Sequence, residues 1–332
     1  MKVLFVAAGK KSGFAPFINE QEYALVQAGQ KVIEYAHGAH GIIRYMREVP
    51  RLRDVIRHEK PDVVHAHFGL TGLMAGLAAV GIGVPVVVTY HGCDINDAKL
   101  RPFSLIAMRL AAWNIFVSKR QKINAYGSES NAAKAKKGCV LPCGINTQLF
   151  DEKYVDDAWF DAKFGAGDKV LFAGGFCIDV KNPALAFACM EELEKNGVND
   201  VQLLELRGYT REQVVTLMHR CKALLLTSIR EGSPQVVKEA MACNCPIVST
   251  NVGDVEERLE GLGGCFVVGE KRKENGEWSH ESREQVIQQL SEALKKAIAF
   301  GRTKGRERLL ADGLDNAQIA ERLIKIYEQV KK

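Results

Sequence analysis

The sequence predicts an α/β protein made of two domains, each built around a parallel β-sheet. Its 332 residues exceed the length of one ordinary domain and suit two of roughly 150 residues each. Short runs rich in β-branched residues alternate with helical patterns from the start of the chain, which is typical of right-handed βαβ units. This alternation occurs twice, and the two series are separated by residues 146–168, which contain no clear strand and are interpreted as the interdomain linker.

The predicted strands define where each domain begins and ends. In the first series they lie near residues 2–8, 31–36, 62–66, 85–89, 113–117 and 138–141, and in the second near 169–173, 201–206, 222–227, 246–249 and 264–268. A helical pattern follows nearly every strand. Residues 269–281 read as a polar surface loop, and residues 316–330 have apolar side chains at helical spacing. We therefore place the first domain at residues 1–145 and the second at 146–315.

Basic charge is concentrated in the first half of the chain. Residues 1–150 carry 19 Lys and Arg against 10 Asp and Glu, a net charge of +9, whereas residues 151–332 have a net charge of −4. A solvated helix face would explain these charges, and attraction to an anionic membrane surface is the alternative. Nucleic acid is disfavoured, because no binding motif or aromatic platform accompanies them. Much of the excess lies in Arg44, Arg47, Arg51, Arg53, Arg57 and Lys60, and in Lys119, Arg120, Lys122, Lys134, Lys136 and Lys137.

The cysteines and apolar segments bear on the compartment. Nine cysteines, an odd number, are scattered through apolar stretches and predict buried thiols in a reducing environment. They lack zinc-ligand spacing, so no metal site is expected. The apolar start is too short for a signal peptide. Residues 68–90 carry no formal charge and are long enough to span a membrane, but Gly76, Gly81 and Pro85 favour a buried helix near 70–79, a turn and a buried strand. We expect a cytoplasmic protein.

Residues 228–242 are the segment most informative about function. Pro234 suits the first turn of a helix, so a helix is predicted to begin near Ser233, directly after a buried strand. Its free N–H groups then lie at the carboxyl edge of a parallel sheet, where a diphosphate is favoured. Glu231 and Glu239 flank this helix start. Carboxylates do not bind phosphate, so the pair suggests ribose and sugar hydroxyls, and hence a nucleotide-sugar. A helix-dipole partner and a solvated helix residue are the alternative interpretation.

The same residues resemble a known family. Glu231-Gly-x-Pro, with seven residues between the two glutamates and Ala-Met-Ala after the second, resembles the E-x7-E motif of retaining glycosyltransferases, and residues 245–254 resemble the strand and glycine loop that follow it in glycosyltransferase family 4. The resemblance implies a GT-B fold, in which two Rossmann-like domains face each other across a cleft. It places the acceptor mainly on residues 1–145 and the donor on 146–315. The last helix, within 316–332, is expected to cross back to the first domain.

Further segments extend the resemblance over nearly the whole chain. They are residues 13–17, which resemble a glycine loop, the histidine segments 62–69 and 89–94, the segment 141–146 with Phe150, and the phosphate-binding loop 171–176 with Lys181 and Asn182. The resemblance assigns Glu239 to the ribose hydroxyls, Glu231 to the donor sugar and Lys181 to the diphosphate. Many family members have an arginine directly after the loop glycine, where this chain has Phe176. Arg207, at the end of another strand, is the candidate substitute.

The predicted site residues thus fall into three groups. Glu231, His91 and Lys181 are the candidate catalytic residues. Gly13, Phe14 and His67 are assigned to the acceptor and cleft side, and His65 is expected to be structural. The candidate donor-binding residues are Glu239, Gly174, Gly175, Gly232, Ser233, Pro234, Gln235, Val236 and Arg207. His91 follows a strand and precedes Gly92, so its ring is expected to face the cleft and contact the sugar, although a histidine in such a position more often makes an ordinary structural hydrogen bond.

The function predicted from the sequence is a retaining, metal-independent glycosyltransferase of the hexosyltransferase type. It would move a sugar from a UDP-sugar or GDP-sugar to a glycan or lipid-linked acceptor in bacterial polysaccharide biosynthesis, as a cytoplasmic protein at the inner face of the membrane. No Asp-x-Asp pair occurs, so neither a metal nor another cofactor is expected. A nucleotide-sugar epimerase of the same fold and a non-catalytic sugar-nucleotide binding module are the alternatives. No motif fixes the base, the sugar or the acceptor.

Overall fold

The chain consists of two compact α/β units. A computed structural model describes residues 1–9, 13–270 and 277–331. One unit comprises Met1–Gly144 with Leu314–Lys332, and the other comprises Ile145–Gly313. Within the described residues, each unit contains one parallel sheet, of six strands in the first unit and five in the second. The predicted α/β class, with one parallel sheet in each half of the chain, is therefore confirmed.

The first unit has the strand order β2-β1-β3-β4-β5-β6, and every pairing is parallel. Its strands are β1 (Lys2–Ala8), β2 (Lys31–His37), β3 (Val63–His67), β4 (Val86–Tyr90), β5 (Trp113–Phe116) and β6 (Gly138–Val140). Its helices are α1 (Pro16–Gln27), α2 (Ile42–Glu59), α3 (Gly69–Ala79), α4 (Cys93–Asn96), α5 (Arg101–Leu110), α6 (Lys119–Tyr126), α7 (Glu129–Lys134) and, at the end of the chain, α15 (Asn316–Lys331). Strands β3 and β4 are buried along their whole length, as expected for a parallel sheet covered on both faces.

The uncharged stretch 68–90 forms helix α3 and strand β4, as predicted. The glycines of α3 allow the helix to pack closely: a Cβ at Gly72 would lie 2.6 Å from Val88 Cγ1, and one at Gly76 would lie 2.8 Å from Leu110 Cβ. These contacts explain why the stretch is rich in glycine. Over the described residues, no helix is both long enough and apolar enough to cross a membrane.

Helix α15 packs in the first unit against α1 and β3, although it follows the second unit in sequence. Tyr327 is fully buried and its hydroxyl lies 2.6 Å from His65 Nδ1, while Lys331 forms an ion pair with Asp62 at 2.8 Å. The predicted return of the last helix to the first domain is therefore confirmed. His65 also lies 2.8 Å from the Thr89 hydroxyl, so both of its ring nitrogens make structural contacts.

The second unit has the strand order β11-β10-β9-β7-β8, and the pairings between its described strands are again parallel. Its strands are β7 (Asp168–Phe172), β8 (Val201–Glu205), β9 (Ala223–Leu226), β10 (Ile247–Thr250) and β11 (Phe266–Val268). Its helices are α8 (Asp157–Phe164), α9 (Pro183–Lys195), α10 (Arg211–Arg220), α11 (Gln235–Ala242), α12 (Val255–Leu259), α13 (Arg283–Phe300) and α14 (Gly305–Ala311).

Residues 146–168, predicted to be an interdomain linker, belong instead to the second unit and include a helix that the sequence pattern did not reveal. Helix α8 begins after Asp156, whose carboxylate accepts a hydrogen bond from the Trp159 N–H. Arg306 holds the start of this segment by donating to the carbonyl oxygens of Thr147 and Phe150 at 2.7 and 2.6 Å. Of the surface loop predicted at 269–281, residues 271–276 lie outside the described part of the chain.

Candidate active site

The second unit has its topological switch point between β7 and β9. Strand β7 lies in the interior of the sheet, with β8 on one side and β9 on the other. The connection after β7 leads to β8 and the connection after β9 leads to β10, so the two leave the carboxyl edge of the sheet in opposite directions. Open α/β sheets bind ligands in the crevice that this arrangement creates. The connections are residues 173–182, which contain the predicted glycine loop, and residues 227–234, which contain Glu231.

Two glycines of the first connection make room for two cations. A Cβ at Gly174 would lie 2.7 Å from Lys181 Cγ, and a Cβ at Gly175 would lie 2.7 Å from Arg207 Cδ. Arg207 is exposed and also contacts the Cys177 thiol through Nη1. The stems of both cationic side chains therefore pack on the loop where the resemblance expects a diphosphate. Arg207 occupies this position although it follows β8 and not β7.

The two connections are tied together by hydrogen bonds. The Ile229 N–H donates to the Val180 carbonyl at 2.8 Å, and the Thr227 hydroxyl lies 3.0 and 2.9 Å from the carbonyl oxygens of Lys181 and Asn182. The Lys181 ammonium forms an ion pair with Glu231, with 2.7 Å between Nζ and Oε1. Both side chains are only partly exposed, at 22% and 16%, so the ion pair is shielded yet open to a ligand. Lys181 and Glu231, which were predicted to belong to one site, thus lie side by side.

Glu239 also has a cationic partner, which the sequence did not predict. It lies in α11 with its side chain 8% exposed, and Arg211 Nη1 donates to its Oε1 at 2.7 Å. The Arg211 guanidinium is 4.8 Å from the centroid of the Phe150 ring, which restricts its movement. Nothing in the sequence pairs two residues 28 positions apart on different helices. The ion pair orients the Glu239 carboxylate before any ligand arrives.

Helix α11 starts later than predicted, and the residues before it contact the connection that follows β10. The helix begins at Gln235 and Pro234 is its N-cap, with ψ at 119°, so the helix starts two residues later than predicted. The Ser233 hydroxyl is instead bound 2.9 Å from Asp254 Oδ2. Lys238, although 1% exposed, lies with Nζ 3.3 Å from the same hydroxyl. These contacts bind the residues before α11 firmly in place.

Glycines complete the packing at this helix start. Gly253 has φ at +57°, and a Cβ there would lie 2.8 Å from the Gly232 carbonyl oxygen. Asp254, next to it, forms an ion pair with Arg258 at 3.0 Å. Gly232 and Ser233 are half-buried, and Val236 is buried in the first turn of the helix. Asp254 thus holds Ser233 next to the start of α11, a contact that no sequence pattern indicated.

In the first unit, His67 and His91 come together at the carboxyl edge of the sheet. His67 ends β3 and His91 follows β4, the neighbouring strand, and His67 Nδ1 lies 3.1 Å from His91 Nε2. His67 is 1% exposed, and this burial lowers its pKa to about 3. Because His67 is almost fully buried, it is placed to contact His91 and not to contact a substrate directly.

A buried carboxylate fixes the backbone on which His91 lies. Asp94 is 3% exposed and accepts hydrogen bonds from the backbone N–H groups of Gly92, His91 and Gly69 at 2.9, 3.2 and 3.2 Å. Burial raises the pKa of Asp94 to about 6, although these N–H groups favour its charged form. Of the predicted glycine loop in this unit, Gly13 has φ at +100° and is half-buried, and Phe14 is buried.

The predicted site residues therefore form two groups, one in each unit. In the second unit, the structure brings Lys181, Arg207 and Glu231 to one switch point and places Glu239 on the helix that follows. In the first, it brings His67 and His91 together. Among the described residues, no group of three or more His, Cys, Asp or Glu side chains is arranged to hold a metal ion.

The fold and the family agree on what kind of protein this is. Two parallel-sheet α/β units, the second with a glycine loop, Lys181, Arg207 and Glu231 at its switch point and Glu239 on the helix that follows, define a glycosyltransferase of the GT-B fold class. Residues 12–149 match the family described as Glycosyltransferase Family 4, and residues 169–280 match the one described as Glycosyl transferases group 1. The chain belongs to glycosyltransferase family 4, the group 1 glycosyltransferases.

Known proteins similar to the chain include two sequence relatives and one solved structure. An uncharacterized glycosyltransferase of Methanocaldococcus jannaschii is 24% identical over 274 residues, which cover 74% of this chain and 70% of that protein. The UDP-Gal:alpha-D-GlcNAc-diphosphoundecaprenol alpha-1,3-galactosyltransferase of Escherichia coli is 24% identical over 249 residues, 64% of this chain and 63% of that protein. The crystal structure of Anabaena HepE in complex with UDP and glucose has the same fold, with a TM-score of 0.70, 16% identity and coverage of 99% and 100% of the two chains.

Proposed function

We propose that this glycosyltransferase moves a hexose from a UDP-sugar or GDP-sugar to a glycan or lipid-linked acceptor in the assembly of a polysaccharide. The observation that carries the proposal is the pairing of Lys181 with Glu231 at 2.7 Å on the switch point of the second unit. A cation suited to a diphosphate and a carboxylate suited to sugar hydroxyls then lie side by side. The solved complex of HepE with UDP and glucose, and the UDP-Gal donor of the E. coli relative, support this choice of donor class.

Each donor group has a matching side chain in this proposal. Glu239, held by Arg211, accepts hydrogen bonds from the ribose hydroxyls. Glu231 accepts them from the sugar, next to its reacting carbon. Lys181 and Arg207, on Gly174 and Gly175, face the diphosphate and stabilise the charge that develops as it leaves. Backbone N–H groups before α11, in the stretch held by Ser233 and Asp254, add dipoles that are already oriented.

We propose that transfer proceeds with retention of configuration at the anomeric carbon. The bond between that carbon and the diphosphate oxygen breaks, the acceptor oxygen bonds to the same face, and the acceptor proton passes to the leaving diphosphate. No covalent bond to the protein is needed. The role of Lys181 is to stabilise the diphosphate that both leaves and takes the proton. The family motif formed by Glu231 and Glu239 supports this course of reaction.

We also propose that this reaction requires no divalent metal. Two cationic side chains, Lys181 and Arg207, lie on the loop that would hold the diphosphate, and a metal ion would duplicate their charge. Full activity is therefore expected after treatment with EDTA. Loss of activity in EDTA that added Mg²⁺ or Mn²⁺ restores would contradict the proposal.

Donor, acceptor and stereochemistry are tested together in one assay. A thermal-shift screen of UDP-, GDP- and ADP-sugars selects the donor, and release of the nucleoside diphosphate is then measured with a panel of acceptors. The product is expected to have the same anomeric configuration as the donor by NMR. An inverted anomer would contradict retention. Epimerisation of the donor without an acceptor, or binding without turnover over the whole panel, would contradict the proposed transfer.

The basic helix α2 supports a contact with an anionic membrane surface, where a lipid-linked acceptor would be found. Arg44, Arg47 and Arg57 are exposed. Ile43, which precedes Arg44 in the first turn of α2, is 67% exposed. Arg53, counted with them in the sequence, donates instead to the carbonyl oxygens at the end of α3. Arg51 is exposed, but its guanidinium is paired with Glu48. The nine free cysteines are consistent with the cytoplasmic side as the location of this contact.

Charge reversal on α2 tests this contact. The variant Arg44→Glu/Arg47→Glu is expected to lose most co-sedimentation with vesicles of anionic lipid, because each basic residue near the surface contributes about 1 kcal/mol. The matched control is Lys195→Glu/Lys296→Glu, which changes two exposed lysines of the second unit by the same total charge. Equal binding of wild type to neutral and anionic vesicles would remove the proposal.

A further inference from the structure

The contact between His67 and His91 raises the question of which ring nitrogen carries the proton. The two rings are stacked at 24° with centroids 5.3 Å apart, and a single hydrogen bond joins His67 Nδ1 to His91 Nε2 over 3.1 Å. In a neutral pair one ring donates and the other accepts, and the direction of this bond decides the tautomer of both. The direction therefore determines what His91 can offer to a substrate.

His67 is neutral in the folded protein. It is 1% exposed, stacked on His65 with centroids 4.5 Å apart and edge-on to Phe5 at 5.1 Å. Burial lowers its pKa to about 3, so at neutral pH it holds one ring proton and not two. That proton is either on Nδ1, where it bonds to His91, or on Nε2.

The surroundings of His67 Nε2 decide between these positions. This atom is buried and has no hydrogen-bond partner within the described part of the chain. If it carried the proton, a buried N–H would have no acceptor, and buried N–H groups of that kind are rare in native proteins because they are costly. If the proton is on Nδ1, only a lone pair is unpaired, and the N–H donates to His91.

We propose that His67 is a positioning residue that fixes His91 as the tautomer with its proton on Nδ1. His91 then accepts at Nε2 and donates from Nδ1. In the structure His91 Nδ1 lies 3.7 Å from the Cys143 Sγ atom, a weak hydrogen-bond partner that a substrate oxygen can replace. In this tautomer His91 offers the substrate a hydrogen-bond donor and does not act as a general base. The ligand class is a sugar hydroxyl, an inference that depends on the proposed transfer reaction.

The environment of His91 holds the direction of this donor constant. Phe17 and Phe68 lie against its ring, with centroids 4.9 and 4.5 Å away. Phe68 has φ at +73° and ψ at 149°, a conformation that costs a residue with a side chain free energy. Strain of this kind persists where the surrounding structure imposes it, and it is concentrated at functional sites. These two phenyl contacts, together with the hydrogen bond from His67, restrict rotation of the His91 ring.

The tautomer can be observed directly by NMR. In ¹⁵N-histidine-labelled protein at neutral pH, long-range ¹H–¹⁵N correlations distinguish a ring protonated at Nδ1 from one protonated at Nε2, and the His91→Gln variant identifies the His91 signals. The expected pattern is a protonated Nδ1 and an acceptor Nε2. An Nε2-protonated His91 in the wild type would overturn the proposal. This readout needs no substrate, so it stands even if the proposed transfer reaction is wrong.

Two substitutions at His67 separate hydrogen bonding from packing. The amide N–H of His67→Asn can still donate toward His91, whereas His67→Leu fills the space without a donor. We expect His67→Asn to stay within about threefold of wild-type kcat/KM and His67→Leu to lose roughly tenfold or more, the effect of one hydrogen bond. Equal kcat/KM for the two variants would overturn the proposal.

A matched control accounts for the loss of a buried histidine. His37 is 3% exposed in the same unit, contacts Thr71 over 3.2 Å and has no part in the site, so His37→Gln is expected to leave kcat/KM unchanged. Because these substitutions lie in the first unit and UDP is proposed to bind the second, circular dichroism and thermal unfolding are used to report whether each variant is folded. A wild type that transfers no sugar would contradict the proposed function, while the NMR result would still decide the His67 inference.

Discussion

Replacing Glu231 by glutamine is expected to lower kcat roughly 100-fold while leaving the Kd for UDP within about twofold. Glutamine keeps the shape of the side chain but removes the charge that holds Lys181 Nζ at 2.7 Å. It also weakens the acceptor that Glu231 offers to the sugar. Both losses act next to the reacting carbon, whereas UDP lacks the sugar and retains its other contacts. Steady-state kinetics and calorimetric titration with UDP measure the two effects separately.

The control for this prediction is a glutamate of the same unit outside the site. Glu194 is exposed on α9, so Glu194→Gln makes the same chemical change without touching the switch point. It is expected to have wild-type kcat and UDP affinity. Full activity of Glu231→Gln or Glu231→Ala would contradict the assignment on which the proposed function depends most. An equal loss of UDP affinity and kcat would place Glu231 at the nucleotide and not at the sugar.

The strands and the edge of the sheet where ligands bind could be predicted because local sequence specifies them. Runs such as Val86–Tyr90 are apolar on both faces, and glycines 174 and 175 follow a buried strand directly. These signals placed Lys181 and Glu231 after two strands of the second domain, and the structure shows that those strands, β7 and β9, are neighbours. The structure adds that hydrogen bonds from Thr227 and Ile229 hold the two connections together.

The partners of the site residues depend on tertiary contacts that no local pattern records. Arg211 belongs to no recognised motif and lies on a different helix from Glu239. The two side chains nevertheless form an ion pair. Arg53 looked like one charge among several on α2 but donates to the end of α3. Phe68 has a positive φ, a conformation that only glycine adopts readily, so the residue type did not indicate this backbone conformation. In each case the neighbour that decides the role is distant in sequence.

Removing the charge of Lys181 is the second substitution expected to have a large effect. It should weaken binding of the diphosphate part of the donor and leave binding of the nucleoside unchanged. Lys181→Met keeps the stem that packs on Gly174 and loses only the ammonium group. We expect kcat/KM for the nucleotide-sugar to fall roughly 100-fold, because the charge that stabilises the leaving diphosphate is gone. Affinity for UDP should fall, whereas affinity for uridine should not change. The measurement is competition by UDP, UMP and uridine against the donor.

Arg207→Gln shows whether the second cation shares this role. The Arg207 stem packs on Gly175 as the Lys181 stem packs on Gly174, and Lys163, an exposed lysine that contacts the Trp159 ring, provides Lys163→Gln as the control. We expect Arg207→Gln to weaken UDP more than uridine and to lower kcat/KM roughly tenfold, less than Lys181→Met, because Arg207 is the more exposed cation and is better screened by water. If Arg207→Gln behaved like the control, Arg207 would not replace the arginine that many relatives have in the glycine loop. Lys181 and the backbone N–H groups would then bind the diphosphate without a second cation.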